Sequence, residues 1–235
     1  MSALEPVAYT DGALALTGWL ARPAGKPRAA LVLFPTIANV NPAMERRAAM
    51  LAEAGFLTMI ADFYGEPVAS FAAAGPLAEQ LRATPEHYRQ RLRAALAALS
   101  GHRDAAGLRV GAVGYCMGGQ AALEAARDGA ELAVAVSFHG LLGTHAPAAP
   151  GAIRARILVC HGDADPMVPR AAVLAFWEEM DRAGADWHFH SYSGVRHGFT
   201  DPASDARGLD AVKYNASADR QSWAAMLALF GELFG

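Results

Sequence analysis

Arg109-Val-Gly-Ala-Val-Gly-Tyr-Cys-Met-Gly-Gly-Gln120 is the stretch on which the fold turns. An apolar run to Val113 reads as a buried strand, and an Ala-rich segment from Cys116 to Arg127 reads as a helix. Between them a glycine-flanked turn carries one residue able to act as a nucleophile, Cys116. A junction of this kind holds its central residue in a strained conformation and crowds strand against helix, so its neighbours must be small. Gly114 and Gly118 are read as supplying that room. A thiol at a helix N-terminus feels the helix dipole, which favours the thiolate. The Met117 N–H is then placed to bind a developing oxyanion. The plainer alternative is a small buried cysteine, since free cysteine often packs inside. Its setting in G-Y-C-M-G-G argues for chemistry.

Outward from this junction, strands alternate with helices. Val7 to Tyr9, a turn at Asp11-Gly12 and Ala13 to Leu20 read as an opening hairpin, followed by a Pro/Gly loop from Arg22 to Arg28. Ala29 to Phe34 is continuously apolar, the mark of a strand covered on both faces. Pro42 to Ala54 has helical spacing, with Asn41 as cap, Pro42 at the first helical position and Gly55 as stop. Phe56 to Ile60, Leu108 to Val113, Leu132 to Ser137, Ile157 to Cys160 and Trp187 to Tyr192 read as further strands. Cys116 to Arg127, Pro169 to Ala183 and Ala216 to Phe234 read as helices. The segment from about residue 65 to 100 departs from this rhythm and reads as two helices, one of them Pro85 to Leu99. The expectation is one α/β domain over 1–235, with a mainly parallel central sheet flanked by helices on both faces.

Composition narrows the function. The 235 residues are 53% hydrophobic and 18% charged, which suits one compact core and excludes disorder. A net charge of -3 with no basic run leaves no nucleic-acid footprint. No stretch approaches the roughly 20 apolar residues of a membrane helix. Met1 to Thr10 lacks the basic and apolar regions of a signal peptide, so a cytoplasmic location with Cys116 and Cys160 reduced is expected. No set of histidines, cysteines and carboxylates has metal-ligand spacing.

Two further loops supply an acid and a base. In Ile157-Leu-Val-Cys-His-Gly-Asp-Ala-Asp-Pro-Met-Val-Pro169 a strand runs into a polar loop with two aspartates. Asp165, beside the Pro-Met-Val-Pro turn, is assigned the acid role, and Asp163 is read as bonding backbone N–H groups. In Ser193-Gly-Val-Arg-His-Gly-Phe199 the base His197 sits on a glycine-flanked loop after the last strand. The order nucleophile, acid, base is that of α/β-hydrolases and differs from the orders of chymotrypsin and subtilisin. His139 and His161 each follow a strand and are read as packing or edging the pocket. The remaining histidines carry no motif.

These residues together resemble the dienelactone hydrolase family of the α/β-hydrolase fold. The resemblance rests on G-Y-C-M-G-G at 114–119, S-F-H-G at 137–140, H-G-D-A-D-P-M-V-P at 161–169 and R-H-G-F at 196–199, with D-F-Y-G at 62–65 beside them. It implies a Cys116–His197–Asp165 triad, no metal and no organic cofactor. It also implies a second oxyanion donor in the loop after Phe34, the N–H of Ile37. Dienelactone-cleaving members carry a glutamate where this chain has Thr36, and an arginine shortly after the histidine. Here that region reads Gly198-Phe-Thr-Asp201, and Asp201 is expected to repel an anionic substrate unless Arg196 or Arg82 compensates. The expected substrate is an activated small-molecule ester or lactone, cleaved through a thioester. Thr36, Phe63, Tyr64, Tyr115, His139, Met167 and Phe199 are the candidate pocket residues, and a monomer or homodimer is expected. The alternatives are a thioesterase or other acyl hydrolase, and a non-catalytic redox or ligand-binding thiol protein.

Overall fold

In the computed structural model residues 4–235 are described, and the chain packs as two compact units, one ending at Val113 and the other beginning at Gly114. Eight strands pair mainly in parallel and alternate with helices, the α/β architecture expected.

In the first unit, β1 (Glu5–Asp11) and β2 (Leu14–Ala21) form the hairpin. Asp11 pairs with Leu14, so the turn is Gly12-Ala13, one residue later than expected. Gly12 takes φ +57°, a left-handed conformation that glycine adopts without a Cβ penalty. β2 lies antiparallel to β4 (Leu57–Ile60), which lies parallel to β3 (Ala30–Phe34). Every residue of β3 is buried, as its unbroken apolar run requires. α1 (Pro42–Glu53) begins where the Asn41 side chain accepts from the Ala43 and Met44 amides. The Ala-rich segment forms two helices, α2 (Phe71–Leu81) and α3 (Pro85–Ser100). α3 is tied to the hairpin by Arg91, whose Nε donates to Asp11 Oδ2 at 2.6 Å while Nη1 donates to the Phe63 carbonyl.

β5 (Val110–Tyr115) crosses the boundary between the units and ends two residues beyond its apolar run, so Cys116 follows the strand directly. The second unit then runs α4 (Met117–Arg127), β6 (Val134–Phe138), β7 (Arg156–Gly162), α5 (Arg170–Ala183), β8 (Trp187–Tyr192) and α6 (Ala216–Phe234). β6, β7 and β8 are parallel neighbours in that order. Between α4 and α5 lies a buried ionic cluster. Arg127 reaches Glu179 Oε1 and Oε2 at 2.9 and 2.7 Å, Glu124 Oε1 at 3.0 Å and the Leu142 carbonyl at 2.7 Å. It fixes the helix that follows Cys116 to the helix that follows the Asp165 loop.

Candidate active site

Cys116 sits at φ 58°, ψ -119°, a conformation that non-glycine residues hold only at a penalty of about 1–3 kcal/mol. The surroundings impose it. The Cys116 amide donates to Phe138 O at 3.0 Å, and its carbonyl accepts from the Gly119 and Gln120 amides at 2.9 and 3.3 Å. A Cβ on Gly114 would lie 1.8 Å from the Gly118 carbonyl oxygen, so strand and helix can approach only at a glycine. Two further glycines meet the same limit without having been singled out. A Cβ on Gly119 would lie 2.6 Å from Ser137 Oγ, and one on Gly140 would lie 2.5 Å from that atom. Met117 opens α4, where helix N–H groups have no carbonyl partner within the helix.

The loops that carry Asp165 and His197 converge in the same unit. His197 Nδ1 lies 2.8 Å from Asp165 Oδ2, and Asp165 Oδ1 accepts from the Met167 amide at 2.8 Å. Both side chains are buried, at 2% and 4% exposure. The His197 backbone is clamped by its amide donating to Ala211 O and its carbonyl accepting from Lys213 N. Gly162 allows the end of β7 to meet the histidine loop, since a Cβ there would lie 2.4 Å from Val195 O. Burial opposes the charge on His197, but Cys116 and Asp165 outweigh it by charge and hydrogen bonding and push the imidazole up to about 10. Asp163 departs from expectation. It holds Arg170 at the start of α5, with Nε and Nη2 at 3.0 and 2.7 Å, rather than backbone amides. That guanidinium keeps its carboxyl below the usual range.

The other candidate residues divide between contact with solvent, hydrogen-bonded loops and the core. Met167 is 49% exposed, beside the Asp165 turn. His139 is buried, with Nε2 2.9 Å from Thr200 Oγ1 and its ring T-shaped to His197 at 5.1 Å. Phe199 and Tyr115 are fully buried, Tyr115 stacked on Phe138 at 4.6 Å. In the first unit, Phe63 stacks on Phe34 in the core, and Tyr64 donates from its hydroxyl to the Ile37 carbonyl at 3.1 Å. Thr36 Oγ1 accepts from Asn41 Nδ2 at 3.1 Å. That loop is anchored by Asp62, which opens the D-F-Y-G segment but was given no role of its own. Its carboxylate accepts from Asn39 Nδ2 and from the amides of Thr17, Tyr64 and Gly65. A cavity of about 940 Å³ in this unit, lined by residues such as Trp19, Val40, Arg46 and Val68, includes neither Thr36 nor Ile37 in its wall.

Asp201 is paired within its own segment. Its Oδ2 pairs with Arg207 Nη2 at 2.5 Å, and its Oδ1 caps the 3₁₀ turn Pro202–Arg207 through the Ala203 amide. Arg196 is engaged with Asp210, and Arg82 Nε donates to Ala78 O. Among the described residues no helix is long and apolar enough to cross a membrane, and no group of three or more metal-binding side chains gathers.

The model of the dienelactone hydrolase family matches residues 16–234. A dienelactone hydrolase-like promiscuous phosphotriesterase from metagenomic libraries superposes with a TM-score of 0.91 at 35% identity, covering 99% of both chains. A probable 2-oxo-3-(5-oxofuran-2-ylidene)propanoate lactonase of Bradyrhizobium is 29% identical over 223 residues, 87% of this chain and 84% of that one. An uncharacterised protein of Caenorhabditis elegans is 39% identical over 149 residues, 61% of this chain and 92% of its own length.

Proposed function

Because the chain belongs to the dienelactone hydrolase family and is an ester or lactone hydrolase, we propose that its reaction runs through Cys116 as nucleophile, His197 as base and Asp165 as the orienting carboxylate. The observation that carries this reading is one imidazole bound to Asp165 through Nδ1 and coupled to Cys116 at a strained strand–helix junction.

His197 takes the Cys116 proton, and the resulting thiolate attacks the substrate carbonyl. The Met117 N–H stabilises the tetrahedral oxyanion, at about 3 kcal/mol. Collapse breaks the bond to the leaving oxygen, which takes the proton from the imidazolium and leaves a thioester on Cys116. His197 then deprotonates a water that attacks the thioester, and the thiolate departs as the acid is released. A thiolate leaves more readily than an alkoxide, so attack on an ordinary alkyl ester reverts. Productive substrates therefore have stabilised leaving groups, such as enols, phenols or thiols.

The 35% identical phosphotriesterase favours a second substrate class. The same thiolate would attack the phosphorus of an aryl phosphotriester and expel an aryloxide, and water deprotonated by His197 would then cleave the P–S bond and free the thiolate as the phosphodiester leaves. The test is turnover of p-nitrophenyl acetate, a small enol-lactone and paraoxon by the wild type and Cys116→Ala. Turnover that disappears in the variant is expected. Turnover that survives removal of the thiol would overturn the assignment.

A further inference from the structure

The triad reading leaves a second buried histidine beside the base without a role. His139 directly follows β6 in the S-F-H-G segment and holds φ 42°, outside the region that non-glycine residues prefer. Its backbone amide donates to Cys160 O at 2.9 Å, which fixes the residue against the neighbouring strand. The ring is held at its other end, with Nε2 2.9 Å from Thr200 Oγ1. Between these anchors it lies T-shaped to His197, centroids 5.1 Å apart and planes at 68°, and T-shaped to Phe199 at 5.2 Å and 76°. His139, Thr200, His197 and Phe199 are each at most 4% exposed, so this is a closed row of packed groups.

A strained backbone kept in a fully buried setting is one that the surrounding structure over-determines, and such positions gather at working sites. The imidazole of His197 must present Nδ1 to Asp165 and its far edge to Cys116 at the same time. Rotation about its own axis would break the first contact or misaim the second. The Asp165 hydrogen bond alone fixes one atom of the ring and leaves its plane free to rock. A T-shaped neighbour fixes the plane.

We propose that His139 is a positioning residue for the base: anchored by Thr200, its ring sets the plane of the His197 imidazole so that one edge serves Asp165 while the other serves Cys116. Thr200 acts through His139 and touches no reacting atom. The proposal rests on the triad reading, and the test separates the two.

Three variants carry the test: His139→Phe keeps a ring and loses the bond to Thr200, Thr200→Val removes the anchor alone, and Cys116→Ala reports on the triad. All three and the wild type are assayed for kcat and KM on p-nitrophenyl acetate and for thermal midpoint, and the wild type, His139→Phe and Thr200→Val also for alkylation of Cys116 by iodoacetamide as a function of pH. Misplacing a catalytic group by about 1 Å can reduce rate about 100-fold. His139→Phe is accordingly expected to lower kcat by roughly 10- to 100-fold, and Thr200→Val by less, each with KM little changed. Both should also move the basic limb of alkylation down from about 10, because His197 is held there by its contacts with Cys116 and Asp165. His161 also senses Asp165 and His197, and both variants leave it in place. A merely structural role would lower the thermal midpoint without moving that limb. Wild-type kcat and an unmoved limb in Thr200→Val and His139→Phe, with Cys116→Ala inactive, would sink the role of His139 and leave the triad standing. Activity persisting in Cys116→Ala would instead remove the triad on which the role depends.

Discussion

Replacing Arg127 by Met tests what secures the helix behind Cys116. The guanidinium is fully buried, and the side chains of Glu124 and Glu179 are exposed by only 5% and 9%. Its removal leaves two carboxylates inside the protein without their cation and the Leu142 carbonyl without a donor. Breaking a buried ion pair by removing one partner costs about 3–5 kcal/mol, much of it the uncompensated charge. A loss of about 4 kcal/mol corresponds, for a chain of this size, to a fall in Tm of roughly 8–16 °C. The pH dependence carries the diagnosis. In the variant two buried carboxylates are left without a cation, a burden that protonation at lower pH relieves. Urea denaturation of wild type and variant between pH 5 and 8 should show a deficit that shrinks toward the acid end. Replacing all three residues by apolar ones should recover most of the loss, short of the bond from the Ala148 amide to Glu179 Oε1. A deficit below about 1 kcal/mol, or one that does not change with pH, would show that the cluster is not acting as a buried charge group.

Two further outcomes follow from the site. His197 is raised from 6.5 to about 10, so the imidazolium contributes fully below 6.5 and is lost as pH rises through about 10; the kcat/KM profile should fall on that limb, and Asp165→Asn should bring it down, while a limb that stays near 6.5 in the wild type would contradict the coupling. Gly119→Ala places a Cβ 2.6 Å from Ser137 Oγ and 2.9 Å from Gly140 Cα; overpacking of this kind costs about 1–3 kcal/mol, so Tm should fall and alkylation of Cys116 should slow, with partial recovery on adding Ser137→Ala.

Much of this was legible because the decisive signals are local. The unbroken apolar run of β3 marks burial on both faces, and Asn41-Pro42 marks a helix start, since each signal lies within a few residues. The convergence of Asp165 and His197 was legible for another reason: parallel strands bring the loops after them to one end of the sheet. What escaped depends on side chains far apart in sequence. Nothing near Asp163 in the residue pattern distinguishes an amide-binding carboxylate from one facing Arg170 across the start of a helix. The pairing of Asp201 with Arg207 arises only when the intervening residues coil into a 3₁₀ turn. The crowding at Gly119 and Gly140 is set by how closely α4 approaches the end of β6, a distance no periodicity encodes. β5 and β7 outrun their apolar runs because strand geometry continues through Gly-Tyr and His-Gly, where hydropathy gives no signal.

The loop after the base also bears on the charge of the substrate. Family members that cleave an anionic dienelactone place an arginine shortly after the histidine, and this chain has Phe199, Thr200 and Asp201 there. Phe199 turns into the core and Thr200 turns to His139, so neither offers a charge. Asp201 and Arg207 neutralise one another within the segment, so a guanidinium is present but its carboxylate is supplied by the protein. Arg196, next to the base, is directed to Asp210. The charged groups of this segment are thus each paired within the protein. Under the proposed mechanism, substrates would then be sorted by leaving group rather than by charge, since a thiolate nucleophile demands a leaving group that departs more readily than itself.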